Sequence, residues 1–409
     1  MSGDGIARVL GAVGLLLVAG CSPIQIGSRT LDFGLGPPQQ QSLGNPASSA
    51  TLSPLAPTGP SQQFGRGPVQ VSLLLPLSGD PSLVTVGQSM ANASQLAMAF
   101  IEANPNISEN TTITLRDTGG TVEGATAATS AAIAAGAKLI LGPLRGDSVT
   151  AAGAMARSAG VPLIGFSNNP GAAVPGVYLL SVLPDMEMKR ALEAVKASGR
   201  RGIAGAFASS AYGQAQQAAF RQQAALAGFA PSAVYTFTDP SEAAQIIAQA
   251  KPLIDKAMID TLFLPDRASA PGFAAALAQA AVGLTDVQIV GSADWQGDGT
   301  ILATPALAGA IYPAVDPAGL MAIRTDYQAR FGGAPHPLAT LAYTATILAN
   351  VNTLSLANPP YSAALLTNPT GFNGRDGMFR FRSDGRSEYA LAIMQVAPGG
   401  AVRIEAPKL

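Results

Sequence analysis

The chain reads as an α/β protein of two Rossmann-like lobes with parallel sheets, and three observations carry that reading. Short apolar, β-branched runs alternate with segments of helical spacing from residue 69 to residue 291, the signature of strands joined by helical crossovers. Each run ends in a small-residue or polar turn. The array also restarts after Pro184, with a second set of similar size.

The opening unit sets the pattern. Residues 69–75 (Val-Gln-Val-Ser-Leu-Leu-Leu) form a strand too short and too β-branched for a helix, and Pro76 stops it. Ser78 and Gly79 make the turn, and Met90, Ala93, Leu96, Ala97 and Phe100 mark a helix over 86–100. Ligands of open α/β sheets bind at the carboxyl ends of strands, where Ser78 and Gly79 fall. A second strand over 111–115 leads to Asp117, Gly119 and Gly120, and an Ala-rich helix follows to 135. The strand over 138–141 ends in Gly142-Pro143-Leu144-Arg145, with Asp147 and Ser148 placed to cap the next helix. The strand over 161–166 ends in Ser167-Asn168-Asn169.

In the second array the spacing predicts helices over 185–198, 213–227, 241–256 and 268–281, and strands over 202–207, 232–237, 260–264 and 287–291. Their turns carry Tyr212, Asp266 and the pair Asp294-Trp295. The tail reads as a crossing strand over 309–314 and helices over 318–331 and 337–356. An alternating strand-turn stretch over 371–386 and a hairpin of 389–396 with 401–404 follow.

Composition narrows the function. A net charge of −1 offers no basic field for nucleic acid. One cysteine and one histidine exclude a Cys/His zinc site, an internal disulfide and a Cys–His dyad. No nucleophile elbow, Walker lysine pattern or His-Glu-x-x-His occurs, so catalysis is not expected, and neither is a cofactor or a metal. The cysteine follows Arg8, an apolar run over 9–18 and the small residues Ala19-Gly20. Val18-Ala19-Gly20-Cys21 resembles the lipobox of bacterial lipoproteins, which makes residues 1–21 a signal peptide and Cys21 the lipidated residue. Ser22 resembles the outer-membrane sorting signal. Residues 22–67, rich in Pro, Gln and Ser, read as a disordered tether.

Five pieces together resemble the type I periplasmic binding proteins of the leucine/isoleucine/valine-binding kind. They are Leu75-Pro76-Leu77-Ser78-Gly79 with Gly87-Gln88, Leu141-Gly142-Pro143-Leu144, Gly160-Val161-Pro162-Leu163-Ile164 with Ser167-Asn168, Tyr212-Gly213, and Gly377-Met378-Phe379-Arg380-Phe381 with Asp384-Gly385. The resemblance implies three crossovers between the lobes, with the chain leaving the first near Pro184 and returning near Pro313. Lobe 1 then comprises 68–183 plus 313–382, and lobe 2 comprises 184–312 plus 383–409. It also implies a cleft in which first-lobe hydroxyls and amides hold a carboxylate, while a second-lobe acid and aromatic hold an ammonium. Ser78, Gly79, Leu144, Arg145, Ser167 and Asn168 occupy the first-lobe positions, and Tyr212, Asp266, Asp294 and Trp295 the second-lobe ones. Arg145 stands where amino-acid binders keep a small polar residue, and Ser167-Asn168-Asn169 replaces their Ser-Ala-Thr run.

Individual side chains keep two readings. Arg145 either binds a carboxylate or phosphate or forms a salt bridge, and Trp295 either walls the cleft or packs inside the lobe. His336, between two prolines, reads as exposed and inert. The sequence is similar also to the lipoprotein activators of penicillin-binding proteins, which share the Leu-Leu-Pro-Leu-Ser-Gly opening. With the tether and Ser22, that likeness implies an outer-membrane, periplasm-facing regulator of peptidoglycan synthesis whose partner is a penicillin-binding protein. The alternative is the solute-binding component of an importer for branched-chain amino acids or similar small molecules.

Overall fold

The computed structural model describes residues 62–409 apart from Leu284, so the expected lipobox cysteine Cys21 and most of the tether lie outside the described residues. Val69–Leu75 forms β2, and its leucines at 73–75 are fully buried. They are buried on both faces because helices cover both sides of the sheet, as a parallel sheet requires. The first sheet has the order β1-β3-β2-β4-β5-β6. Its strands are β1 (Gln62–Phe64), β3 (Thr111–Asp117), β4 (Leu139–Leu141), β5 (Leu163–Gly165) and β6 (Val177–Leu179), and only β1 runs antiparallel to its neighbour. β1 falls within the stretch read as tether: the three residues before Gly65 pair their backbone with the β3 edge, while Gln62 and Gln63 stay exposed. β6 was not expected either, because three residues are too few to show a period.

Helix α1 (Pro81–Ala103) begins five residues before the helix expected over 86–100. Asp80 explains the early start, since its carboxylate accepts from the backbone N–H groups of Ser82 and Leu83 and Pro81 fills the first helical position. α2 (Val122–Ala134) is capped by Thr121, and α3 (Gly146–Ser158) begins at the cleft with no side-chain cap. Asp147 lies in its first turn rather than at the cap, accepting from Ser148 N at 2.7 Å.

The second sheet has the order β16-β15-β11-β10-β9-β7-β8. β7 (Ile203–Ala208), β8 (Ala233–Phe237), β9 (Thr261–Phe263), β10 (Gln288–Val290) and β11 (Ile311–Ala314) run parallel, while β15 (Leu391–Ala397) and β16 (Gly400–Lys408) add an antiparallel edge. Helices α4 (Pro184–Ala197), α5 (Ala211–Ala227), α6 (Ala243–Ile254) and α7 (Ala270–Gln279) cover it. A short α8 (Gly299–Ala303) precedes β11.

The tail then returns to the first lobe. α9 (Ala318–Phe331) and α10 (Ala339–Asn350) pack on α1, and α10 is shorter than the helix expected over 337–356 because it breaks at Val351. A small antiparallel sheet of β12 (Phe372–Gly374), β13 (Gly377–Phe381) and β14 (Ser387–Tyr389) seats four aromatic rings in the same core. Pro313 itself lies in β11, paired with Ile393, so the return follows Ala314 rather than Pro313. The third passage runs between Tyr389 and Leu391, and the boundary expected at 382/383 falls inside the small sheet's loop. The chain is thus a two-lobed α/β protein with three crossovers.

The passages are tied to one another. Leu179 N donates to Gly385 O at 2.9 Å, and Ser387 Oγ donates to Ser181 O at 2.6 Å. Arg190 on α4 donates to Leu391 O at 2.8 Å and pairs with Glu405 at 2.8 Å, fixing the start of β15.

Gly87 marks the closest approach of α1 to the strand end. A Cβ there would stand 2.0 Å from Pro76 O. Gly87→Ala is expected to lower stability by about 2–3 kcal/mol through forced backbone displacement. The urea midpoint should fall at unchanged slope, and an unchanged midpoint would mean that α1 moves away freely.

Candidate functional site

Between the lobes lies a cleft of about 820 Å³, within the range of small-molecule sites. On the first-lobe side it is walled by the turns after β4 and β5, which bring Leu144, Arg145, Ser167 and Asn168 together. Arg145 uses Nε and Nη2 in a fork on the Asp147 carboxylate, at 3.2 and 2.8 Å, and its Nη1 has no acceptor among the described residues. Hydrogen bonding and attraction from Asp147 raise the guanidinium's proton affinity, and the arginine in turn holds the Asp147 carboxyl below its usual range. The uncapped start of α3 adds backbone N–H groups and the positive end of a helix dipole. This wall favours an anionic or acceptor group.

The second-lobe wall has the opposite character. Glu187 in the first turn of α4, Tyr212 in the first turn of α5 and Asp294 after β10 all line the cleft. Glu187 is 1% exposed, and among the described residues its carboxylate accepts only from Ala293 N, at 3.3 Å. Burial, then the neighbouring Asp294 and Asp185, hold its carboxyl well above the ordinary carboxylate range. Burial likewise raises Asp294, against a partly offsetting attraction from Arg267. The Tyr212 hydroxyl stands near Asn168 and Asp294 but has no partner in hydrogen-bond geometry, and burial followed by the two acids keeps it protonated. One buried acid, one half-buried acid and an unsatisfied hydroxyl make a wall suited to a cation.

Tail residues close a third side, where His336, Thr340 and Asp376 line the cleft. His336 is half-buried rather than exposed: its backbone N–H donates to Ser89 Oγ at 2.8 Å, and its Nδ1 accepts from Leu338 N at 3.1 Å. Burial and then Arg267 hold its imidazole below the usual range. Asp376 is 7% exposed, and burial pushes its carboxyl up to about 6.

Four expected residues stand elsewhere. Ser78 and Gly79 are absent from the cleft wall, because Asp117 takes the turn for itself: Leu77 N and Ser78 N donate to its Oδ1 at 2.8 and 3.2 Å, and Ser78 Oγ to its Oδ2. Asp266 is absent from the wall as well; its carboxylate accepts from Ser269 N at 2.9 Å, and its neighbour Arg267 faces the cleft instead. Trp295 is fully buried in the second-lobe core, tilted against Tyr312 at 6.1 Å, so of its two readings the packing one holds. Glu187 and Asp376 went unread as site residues. Glu187 had one signal, a carboxylate in the turn that opens the crossover helix; Asp376 sits in a hairpin turn and had none.

The periplasmic binding protein family model matches residues 68–401. The chain belongs to that family. Among solved structures it is similar to a leucine-, isoleucine-, valine-, threonine- and alanine-binding protein from Brucella ovis in its closed conformation, at 16% identity and a TM-score of 0.65, covering 84% of this chain and 95% of that one. It is similar also to an ABC transporter substrate-binding protein from Desulfitobacterium hafniense in complex with Leu, at 16% identity and 0.64, covering 82% and 99%. A third is the C-domain of LpoA (YraM) from Haemophilus influenzae, a regulator of PBP1A, at 17% identity and 0.60, again covering 82% and 99%. No curated protein sequence matches the chain. At these identities the structures establish the type I fold of the family, and the family places the chain in the periplasm.

The buried acid on α4 has a consequence for stability. A carboxyl whose folded-state pKa is raised holds its proton more tightly when folded. Its contribution is therefore whole below its unfolded value near 4.5 and is lost as pH rises toward the folded value. Glu187→Gln is expected to stabilise the ligand-free protein by about 1–2 kcal/mol at pH 7, with the gain vanishing near pH 4. Thermal melts across that range check it; equal gains at both pH values would remove the raised carboxyl as the cause.

Proposed function

We propose that this binding protein takes a small solute between its lobes, without chemistry on it. A cationic group lies against Glu187, Asp294 and Tyr212, and an anionic group against Arg145, Ser167, Asn168 and the start of α3. One observation carries this reading: two walls of opposite electrostatic sense face each other across one cleft, with buried polar groups left unsatisfied on the acidic side. A free amino acid is the simplest molecule bearing both charges. Lobe closure about the tied passages would enclose it and provide the signal.

The cellular role has two forms. In one, the protein delivers its solute to an importer, as the family likeness to substrate-binding proteins supports. In the other, it regulates a peptidoglycan synthase from a lipid anchor at Cys21, non-catalytically. The Ser22 signal, the long tether and the likeness to a domain described as a regulator of PBP1A favour that second form. Separation of inner and outer membranes distinguishes them: anchoring at the outer membrane removes the importer role, and anchoring at the inner membrane removes the main support for the regulator.

Calorimetry of the intact protein against free L-amino acids is expected to give a saturable heat. Arg145→Ala and Glu187→Gln should each weaken binding by about 30-fold or more, as loss of one partner of a desolvated charge pair does. The raised acids must give up protons to receive an ammonium, so affinity should rise with pH and the heat should differ between buffers of unlike ionisation enthalpy. Saturable binding of a synthase domain that is indifferent to both substitutions, with no amino-acid heat, would overturn the reading.

A further inference from the structure

The cleft has a third polar side that the two-wall picture leaves unused. The two-residue turn Arg375-Asp376 joins β12 to β13 and rests on one face of α10. Arg375 N donates to Thr344 Oγ1 at 3.0 Å, and Thr340 Oγ1 donates to Asp376 Oδ2 at 2.9 Å. The Arg375 guanidinium lies 4.7 Å from the Tyr343 ring centre and donates to its hydroxyl at 3.1 Å. The neighbouring guanidinium turns toward Tyr343 with its Nε buried and unpartnered, and among the described residues no arginine, lysine or histidine forms an ion pair with Asp376.

An aspartate in a tight turn ordinarily accepts from a backbone N–H of that turn. Asp376 does not; among the described residues its carboxylate accepts from Thr340 alone, through Oδ2, and the residue lines the cleft. A buried carboxylate with no counter-charge is costly unless something supplies that charge. The carboxylate helps dock the turn on α10 but serves none of the turn's own backbone N–H groups, and the residue lies on the cleft wall.

We propose that Asp376, steadied by Thr340, is a second cation-binding pole, so that the solute is a diamino carboxylic acid. One ammonium meets Glu187, Asp294 and Tyr212, the other meets Asp376, and the carboxylate meets Arg145. At about 820 Å³ the cleft has room for an extended side chain ending in a charge. This inference rests on the cleft-binding reading above and specifies its ligand.

L-lysine and L-norleucine separate the two ideas, since they share a backbone and a four-carbon chain and differ in the terminal ammonium. Calorimetry of the full-length protein is expected to show lysine and ornithine binding at least about 10-fold more tightly than norleucine. Asp376→Asn should abolish that preference, and Thr340→Val should reduce it. Equal wild-type affinities for lysine and norleucine would overturn the second pole and leave cleft binding standing, as would a lysine preference that survives Asp376→Asn. The wild-type comparison decides even if a variant fails to fold. No heat with any of the three would overturn the pole together with the reading it rests on.

Discussion

The two sheets share no strand, so the shape of the cleft depends on the three passages between them and on the bonds that hold those passages side by side. Leu179 to Gly385 and Ser387 to Ser181 join the first passage to the loop and strand that precede the third, and Arg190 pins the far end of the third to α4. These are buried or half-buried bonds whose loss would leave unsatisfied backbone carbonyls. The same short stretch positions Ser181, Val182 and Glu187 on the cleft wall, and Val315 arrives there from the second passage. Hinge and site are therefore built from the same residues, and a small rotation at the passages changes the distance between the two walls.

Charge placement follows burial rather than composition. A chain with a net charge of −1 carries a buried and a half-buried acid on one wall, a further buried acid at the tail turn and an arginine opposite. The arginine is half-exposed and already paired, which limits its field, while Glu187 and Asp376 are desolvated and have no ion-pair partner. Burial raises the proton affinity of both carboxyls, so toward acid pH protons offset that cost. A ligand cation would replace them, coupling occupancy to proton release.

Legibility in the sequence tracked how local each feature is. The turns that end β4, β5 and β10 and the start of α5 were readable, because a parallel sheet places every strand's carboxyl end on one edge; Leu144, Arg145, Ser167, Asn168, Tyr212 and Asp294 reach the cleft for that reason. The same rule failed at Ser78, where Asp117, the last residue of the adjacent strand, captures the turn through a contact that spacing does not show. It failed also at Trp295, which folds back over Gly291, where a Cβ would stand 2.2 Å from the indole, and fills the core instead of the cleft.

The order of strands and helices, the two arrays and the exclusion of a Cys/His zinc site, an internal disulfide and a Cys–His dyad were legible in the sequence itself, since they depend on residue periods and on residue types present or missing. Tertiary structure alone decided which carboxylates lose their water. Glu187 becomes a buried acid only because α4 crosses to the second sheet beneath Ala293, and Asp376 only because a hairpin turn far along the chain docks on Thr340. Desolvation is a property of what surrounds a side chain from distant segments, and no local pattern encodes it.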